Sequence, residues 1–285
     1  MPTAAPLSGR RGKQLRSAVR TLRESRPAGL DRDGDEAILE LVEGPYDGLD
    51  ETHRRLESLR SVFEERDDRR AVFLTIYSRM TGQVARRVDR GEFADPDWVA
   101  DYLVAFANLY RQAVREYEAG ELASLPDPWQ LAFDASTDGD ALVIQDALLG
   151  INAHINYDLA LAIDEAGVRP EPDTKYADHC QVTDVIADII DDAQEDLFEF
   201  GADGLETADE SLGRLDERLT VFTIDECRES AWRTAVALNS RFGSRRRVAR
   251  WINDVTSTGT AYLILSTQAS DLVHGKLREL EGATE

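Results

Sequence analysis

The sequence predicts an all-α protein, a single-domain orthogonal helical bundle of about eight to ten helices. Three observations carry this expectation. Apolar residues recur three and four positions apart along most of the chain. Nowhere do valine, isoleucine or aromatic residues alternate with polar ones long enough to make a strand. No internal repeat and no linker rich in proline, glycine or serine divides residues 36–285, which therefore read as one all-helical domain with a sizeable core.

Residues 1–35 read differently. They carry eight basic and four acidic side chains, a local charge of +4, interrupted by Pro2, Pro6, Pro27, Gly29 and Gly34. The expectation is a flexible basic N-terminal arm with a short helix near 12–25. Helices follow from Glu36. Ala71–Val88 sets Phe73, Ile76, Tyr77, Met80 and Val84 on a helical repeat. Asp95-Pro96-Asp97-Trp98 then supplies an N-cap, a proline at the first helical position and an acidic first turn. The helix it opens places Trp98, Tyr102, Phe106, Leu109, Tyr110 and Ala113 on one side and ends near Gly120.

A short helix spans Pro126–Ser136, and a long apolar one runs from about Ala141 to Glu165. After a break at Gly167–Pro172, helices are expected from about His179 to Phe200 and from Gly204 to Arg218. Thr223-Ile224-Asp225-Glu226 fits a capping box that opens a helix to Phe242. A last helix is expected from about Arg245 to Glu281, with Gly259 in its interior.

The charge balance bounds the partners. Against 55 acidic residues the 285-residue chain sets 33 basic ones, a net charge of −22, and only Lys13, Lys175 and Lys276 are lysines. Excess carboxylate with little lysine keeps a protein hydrated in concentrated salt, where a Debye length of about 3 Å screens self-repulsion. The expected setting is the cytoplasm of a salt-accumulating organism. Phosphate contacts draw on clustered basic residues, so no nucleic-acid partner is expected. No window reaches the apolar length that spans a bilayer, and Arg10-Arg11 lacks the apolar region of an export signal, so no membrane partner is expected either. Cys180 and Cys227 belong to no CxxC pair and read as reduced thiols.

One stretch carries chemistry, Leu148–Leu161. At 100° per residue Asn152 and Asn156 share one side of that helix, while His154 and Asp158 share the opposite side. Both sides are otherwise apolar, so the helix reads as enclosed all round. Unsatisfied polar groups there cost about 1–3 kcal/mol each, so partners must face them. On the functional reading His154 and Asp158 are an acid–base pair or metal ligands, with Asn152, Asn156, Tyr77 and Asn108 lining a ligand pocket. His179 is the second imidazole, so a divalent metal would take His154, Asp158 and His179, with Asp184 near, and a bound water would be the nucleophile of a hydrolysis. On the structural reading the same polar groups fix helix register in a non-enzymatic interaction or scaffold protein. His53 and His274 read as surface residues. Gly150, one turn before His154, permits close approach of a neighbour.

Other chemistries find less. Asp191-Asp192-Ala193-Gln194-Glu195 and Asn253–Ser257 echo the magnesium motifs of all-helical isoprenoid synthases, yet Ala261 stands where the second motif needs its acid. No P-loop, GxGxxG or GxSxG is present.

Several motifs, taken in order, are familiar. Gly91–Trp98, Phe106-Ala107-Asn108-Leu109-Tyr110, Pro126-Asp127-Pro128-Trp129 and Gly150–Leu159 together resemble a family known as a domain of unknown function, from actinobacteria and salt-loving archaea. The likeness runs from about residue 70 to 265. It implies a helical fold and brings no assigned reaction, cofactor or catalytic residue. A small molecule is the partner that the functional reading would require.

Overall fold

The computed structural model describes residues 34–139, 141–201 and 224–266, with side chains described outside 187–201. Among them every regular element is helical. The order is α1 (Glu36–Val42), α2 (Leu49–Glu65), α3 (Arg70–Asp89), α4 (Pro96–Glu118) and α5 (Asp127–Asp138). A rod follows, made of α6 (Val143–Ile151), a π-helical segment (Asn152–Asp158) and α7 (Leu159–Ala166). The remaining helices are α8 (Pro172–Gly201), α9 (Ile224–Leu238) and α10 (Gly243–Ser266). Most of the arm expected at 1–35, the helix expected at 204–218, His274 and the stretch to 281 lie outside the described residues, as do the side chains of Asp191 to Glu195.

Local chemistry explains the starts and stops. Asp95 caps α4, its Oδ1 accepting the Trp98 N–H at 3.1 Å, and Pro96 opens the helix without an N–H to satisfy. Asp35 caps α1 in the same manner, accepting from Ala37 N at 3.0 Å. The expected start of α8 at His179 is corrected to Pro172, again a proline at the first helical position. His179 and Asp178 therefore lie inside the helix. The Asp178 carboxylate holds the loop before α4, accepting from Ala94 N at 2.9 Å and Asp95 N at 2.7 Å.

The rod and α4 form the centre. Tyr102, Phe106 and Tyr110 of α4 are buried, as are Leu149, Ala153, Leu159, Ala160 and Ile163 of the rod. Helices α2 and α3, α5, and α9 and α10 pack around this pair. Gly150 lets α3 close on the rod, since a Cβ there would stand 2.5 Å from Cγ of Phe73. The expected surface position of His53 is corrected. Its ring lies half-buried on α2 against the bare backbone of Gly82, where a Cβ would come within 2.8 Å of it.

Candidate functional site

The π segment widens the rod by one residue per turn. Its closing bond runs from the Leu159 N–H to the His154 carbonyl, five residues back. Such widening is frequent at functional positions, because it turns side chains away from the regular helical register. The two polar sides expected from the sequence persist here and meet different surroundings.

On one side the His154 ring stacks on Phe106, with centroids 3.5 Å apart and planes 8° from parallel. Tyr77 stands edge-on at 4.2 Å, and Phe73, Trp129 and Tyr110 follow at 5.6, 5.9 and 6.1 Å. Helices α3, α4 and α5 thus each contribute aromatic walls. Nδ1 of His154 lies 3.2 Å from Oδ2 of Asp158, which also accepts the Trp129 indole N–H at 2.8 Å. His154 and Asp158 are 2% and 1% exposed. Among the described residues Nε2 of His154 has no hydrogen-bond partner, and neither do the buried hydroxyls of Tyr46 and Tyr110.

Burial sets the protonation. Loss of water holds the His154 imidazole well below its ordinary value. The same cause pushes the Asp158 carboxyl well above its own, opposed by the bond from Trp129. Burial therefore disfavours the charged form of each member of the pair, the imidazolium and the carboxylate alike. Burial likewise raises the Tyr77 hydroxyl well above its ordinary value. A small void of about 10 Å³ is lined by Phe73, Tyr110 and Trp129, three of the rings around His154, with Asp146 and Gly150. That is room for about one water.

On the other side Asn152 donates to the Ser257 carbonyl of α10 at 2.9 Å, and Asn156 donates to Oδ1 of Asn152 at 3.0 Å. From α10, Asn253 donates to the Tyr157 carbonyl at 2.9 Å. These bonds stitch the widened turn to α10.

The other expected site residues go elsewhere. Tyr77 joins His154 as a wall of its enclosure. Asn108 clamps the turn after α1, accepting from Tyr46 N at 2.8 Å and donating to Tyr46 O at 3.1 Å. His179 lies in a second cluster, with Nε2 at 3.2 Å from the Arg228 carbonyl and Nδ1 at 3.3 Å from the Arg228 guanidinium. Burial, and then the charge of Arg228, hold that imidazole well below its ordinary value. Asp184 is exposed. The structure thus brings His154 and Asp158 together and gives His179 other partners. Among the described residues no group of three or more His, Cys, Asp or Glu side chains is arranged to hold a metal ion.

Sequence reasoning missed four members of the His154 cluster, Phe73, Phe106, Tyr110 and Trp129. Trp129 donates its indole N–H to the Asp158 oxygen that also faces the imidazole, and Phe106 supplies the stacking face. Both read as core aromatics on a helical repeat, and nothing local marks them as partners of a residue 29 or 48 positions away.

The model of a family of unknown function, DUF5995, matches residues 49–267. The chain belongs to the DUF5995 family. That match opens on the first residue of α2 and closes one residue beyond α10, so the DUF5995 unit takes in both sides of the π segment and leaves out α1. No curated protein and no solved structure matches this DUF5995 chain. No described helix is long and apolar enough to cross a membrane.

Proposed function

We propose that this DUF5995 protein is a non-enzymatic interaction or scaffold protein, in which the polar groups of the π segment fix how its helices pack. The observation that supports this reading is the enclosure of His154 and Asp158. A catalytic acid or base must come within hydrogen-bond reach of its substrate. Here both groups are almost wholly buried under five aromatic rings, and three of those rings line a void the size of one water. The second side supports the same role, since Asn152 and Asn253 each serve a main-chain carbonyl across the rod–α10 contact.

One observation favours a second reading, a small-ligand-binding protein or metal-assisted hydrolase centred on the same pair. Nε2 of His154 is a buried polar atom without a partner among the described residues. Such groups cost about 1–3 kcal/mol, and natural proteins tend to keep them where a ligand or a reaction uses them. A neutral imidazole is also the form that ligates a metal.

Native mass spectrometry and elemental analysis of the chain purified in high salt separate the two. The scaffold reading expects no stoichiometric metal or small molecule. A bound species that disappears in His154→Phe, a substitution that keeps the stacked ring, overturns it.

A further inference from the structure

Helix α10 is apolar on the face turned away from the core. Its exposed positions after the arginine-rich first turn are Val248, Arg250, Ile252, Thr256, Gly259, Leu263 and Ser266, and all but Arg250 follow one stripe at spacings of three and four. Of the eight large apolar side chains described as exposed, Val248, Ile252 and Leu263 lie on this stripe and Phe242 just before the helix. Their exposure is 54%, 45%, 52% and 57%. Gly259 gives a second, separate observation. A Cβ there would meet nothing within 4 Å, so no contact inside the described chain requires glycine. Glycine inside a helix nonetheless costs about 1 kcal/mol relative to alanine. Close approach by a group outside the described residues would account for it.

We propose that this face is a self-association surface, on which α10 of a second copy of this chain packs antiparallel. It stands whether the enclosed His154–Asp158 pair is structural or catalytic. The order Ile252, Thr256, Gly259, Leu263 runs large, small, small, large, and reads the same in both directions. A two-fold axis between positions 257 and 258 therefore sets Ile252 against Leu263 of the second copy, and Thr256 against its Gly259. The small pair lies at the crossing point, where helix backbones come closest.

Charge favours the same partner and orientation. Between Glu229 and Asp254 the chain carries six arginines and no acid, within a protein of net charge −22. Five of them, Arg241, Arg245, Arg246, Arg247 and Arg250, are exposed around the N-terminal end of α10. This region is thus spared the like-charge repulsion that opposes contact elsewhere between two copies. Antiparallel packing also holds the two arginine clusters at opposite ends of a helix about 36 Å long, well beyond a Debye length of about 8–10 Å. A strip of that length and roughly 10 Å width is smaller than a standard interface, so the dimer is a weak and reversible one.

Sedimentation equilibrium of the full chain from about 1 to 200 μM, in low and in molar salt, tests it. The expected result is a monomer–dimer equilibrium that tightens with salt, as the −22 charge is screened. Ile252→Glu and Leu263→Glu should each weaken association at least tenfold with the circular-dichroism spectrum unchanged. Gly259→Leu should weaken it while raising the melting temperature of the monomer, an effect that a merely structural glycine would not produce. A chain that stays monomeric throughout the range, or a dimer that survives both glutamate substitutions, overturns the proposal.

Discussion

The two sides of the π segment began with the same problem, polar groups inside a packed core, and met it by different means. Asn152 and Asn156 carry no charge in any state; Asn152 donates to the Ser257 carbonyl across the contact with α10, and Asn156 donates to Asn152 along the rod. His154 and Asp158 could each be ionised, and burial works against the charged form of both. Their bonds to each other and to Trp129 leave Nε2 unmatched among the described residues, within walls of aromatic carbon. The amide side behaves as a rivet, whose loss costs a bond or two. The imidazole side is a closed compartment, where removal of any member leaves the others stranded.

The sharpest break of that comparison is Asp158→Ala. It leaves both the Trp129 N–H and Nδ1 of His154 without a partner in a buried space, so a loss of about 3–4 kcal/mol is expected in urea unfolding. A loss below that of Asn152→Ala would mean that the compartment is no more demanding than the rivet.

Next in size is a dependence on pH. A histidine held below its ordinary value of 6.5 costs stability as pH falls through that value, because the unfolded chain takes up the proton more readily. An aspartic acid held above its ordinary value of 3.8 costs stability as pH rises through that value, because the unfolded chain gives the proton up. Between the two ordinary values these slopes offset one another. Above about pH 6.5 the histidine adds no further slope, so a loss of stability with rising pH there belongs to Asp158. Asp158→Asn removes it. Native chain and variant compared across pH 4 to 8 should diverge, with the variant gaining relative stability as pH rises. Parallel profiles would show an Asp158 that is ionised in the fold.

Smaller again is Asn152→Ala, which loses the bond to Ser257 O and the acceptor for Asn156, at a cost of about 1–2 kcal/mol. Amide exchange at the rod–α10 contact should rise with it. Smallest is Asn156→Ala on the same side, half-buried and second in the chain of bonds, at about 0.5–1 kcal/mol in the same unfolding measurement. If this last change cost as much as Asp158→Ala, the distinction between the two sides would be lost.

Much of the fold was legible. The all-helical class, the Asp95 cap and the order of the helices follow from patterns that extend over one or two turns. The opposed polar faces of Leu148–Leu161 were legible for the same reason, and His154 with Asp158 proved to be hydrogen-bonded. The π widening was not. No residue type encodes it, and it is accompanied by a bond to the Tyr157 carbonyl from Asn253, 96 positions on. His53 reads as surface because its helix is charged, yet Gly82 on α3 offers a flat seat for its ring. His179 reads as a companion for His154 because both are imidazoles in helices. It is instead bonded to Arg228, 49 positions away, whose guanidinium also reaches Thr183 at 2.8 Å.

By itself, then, the sequence determined the helices, their amphipathic faces, the acidity of the surface and the presence of four hydrophilic side chains on an apolar rod. The tertiary structure alone decided which neighbours those side chains met, how deeply they were sealed and hence in which direction burial shifts His154 and Asp158. The reason is one of range. Helical periodicity is written within about four residues, whereas solvation and hydrogen-bond partners are supplied by elements that only folding brings side by side.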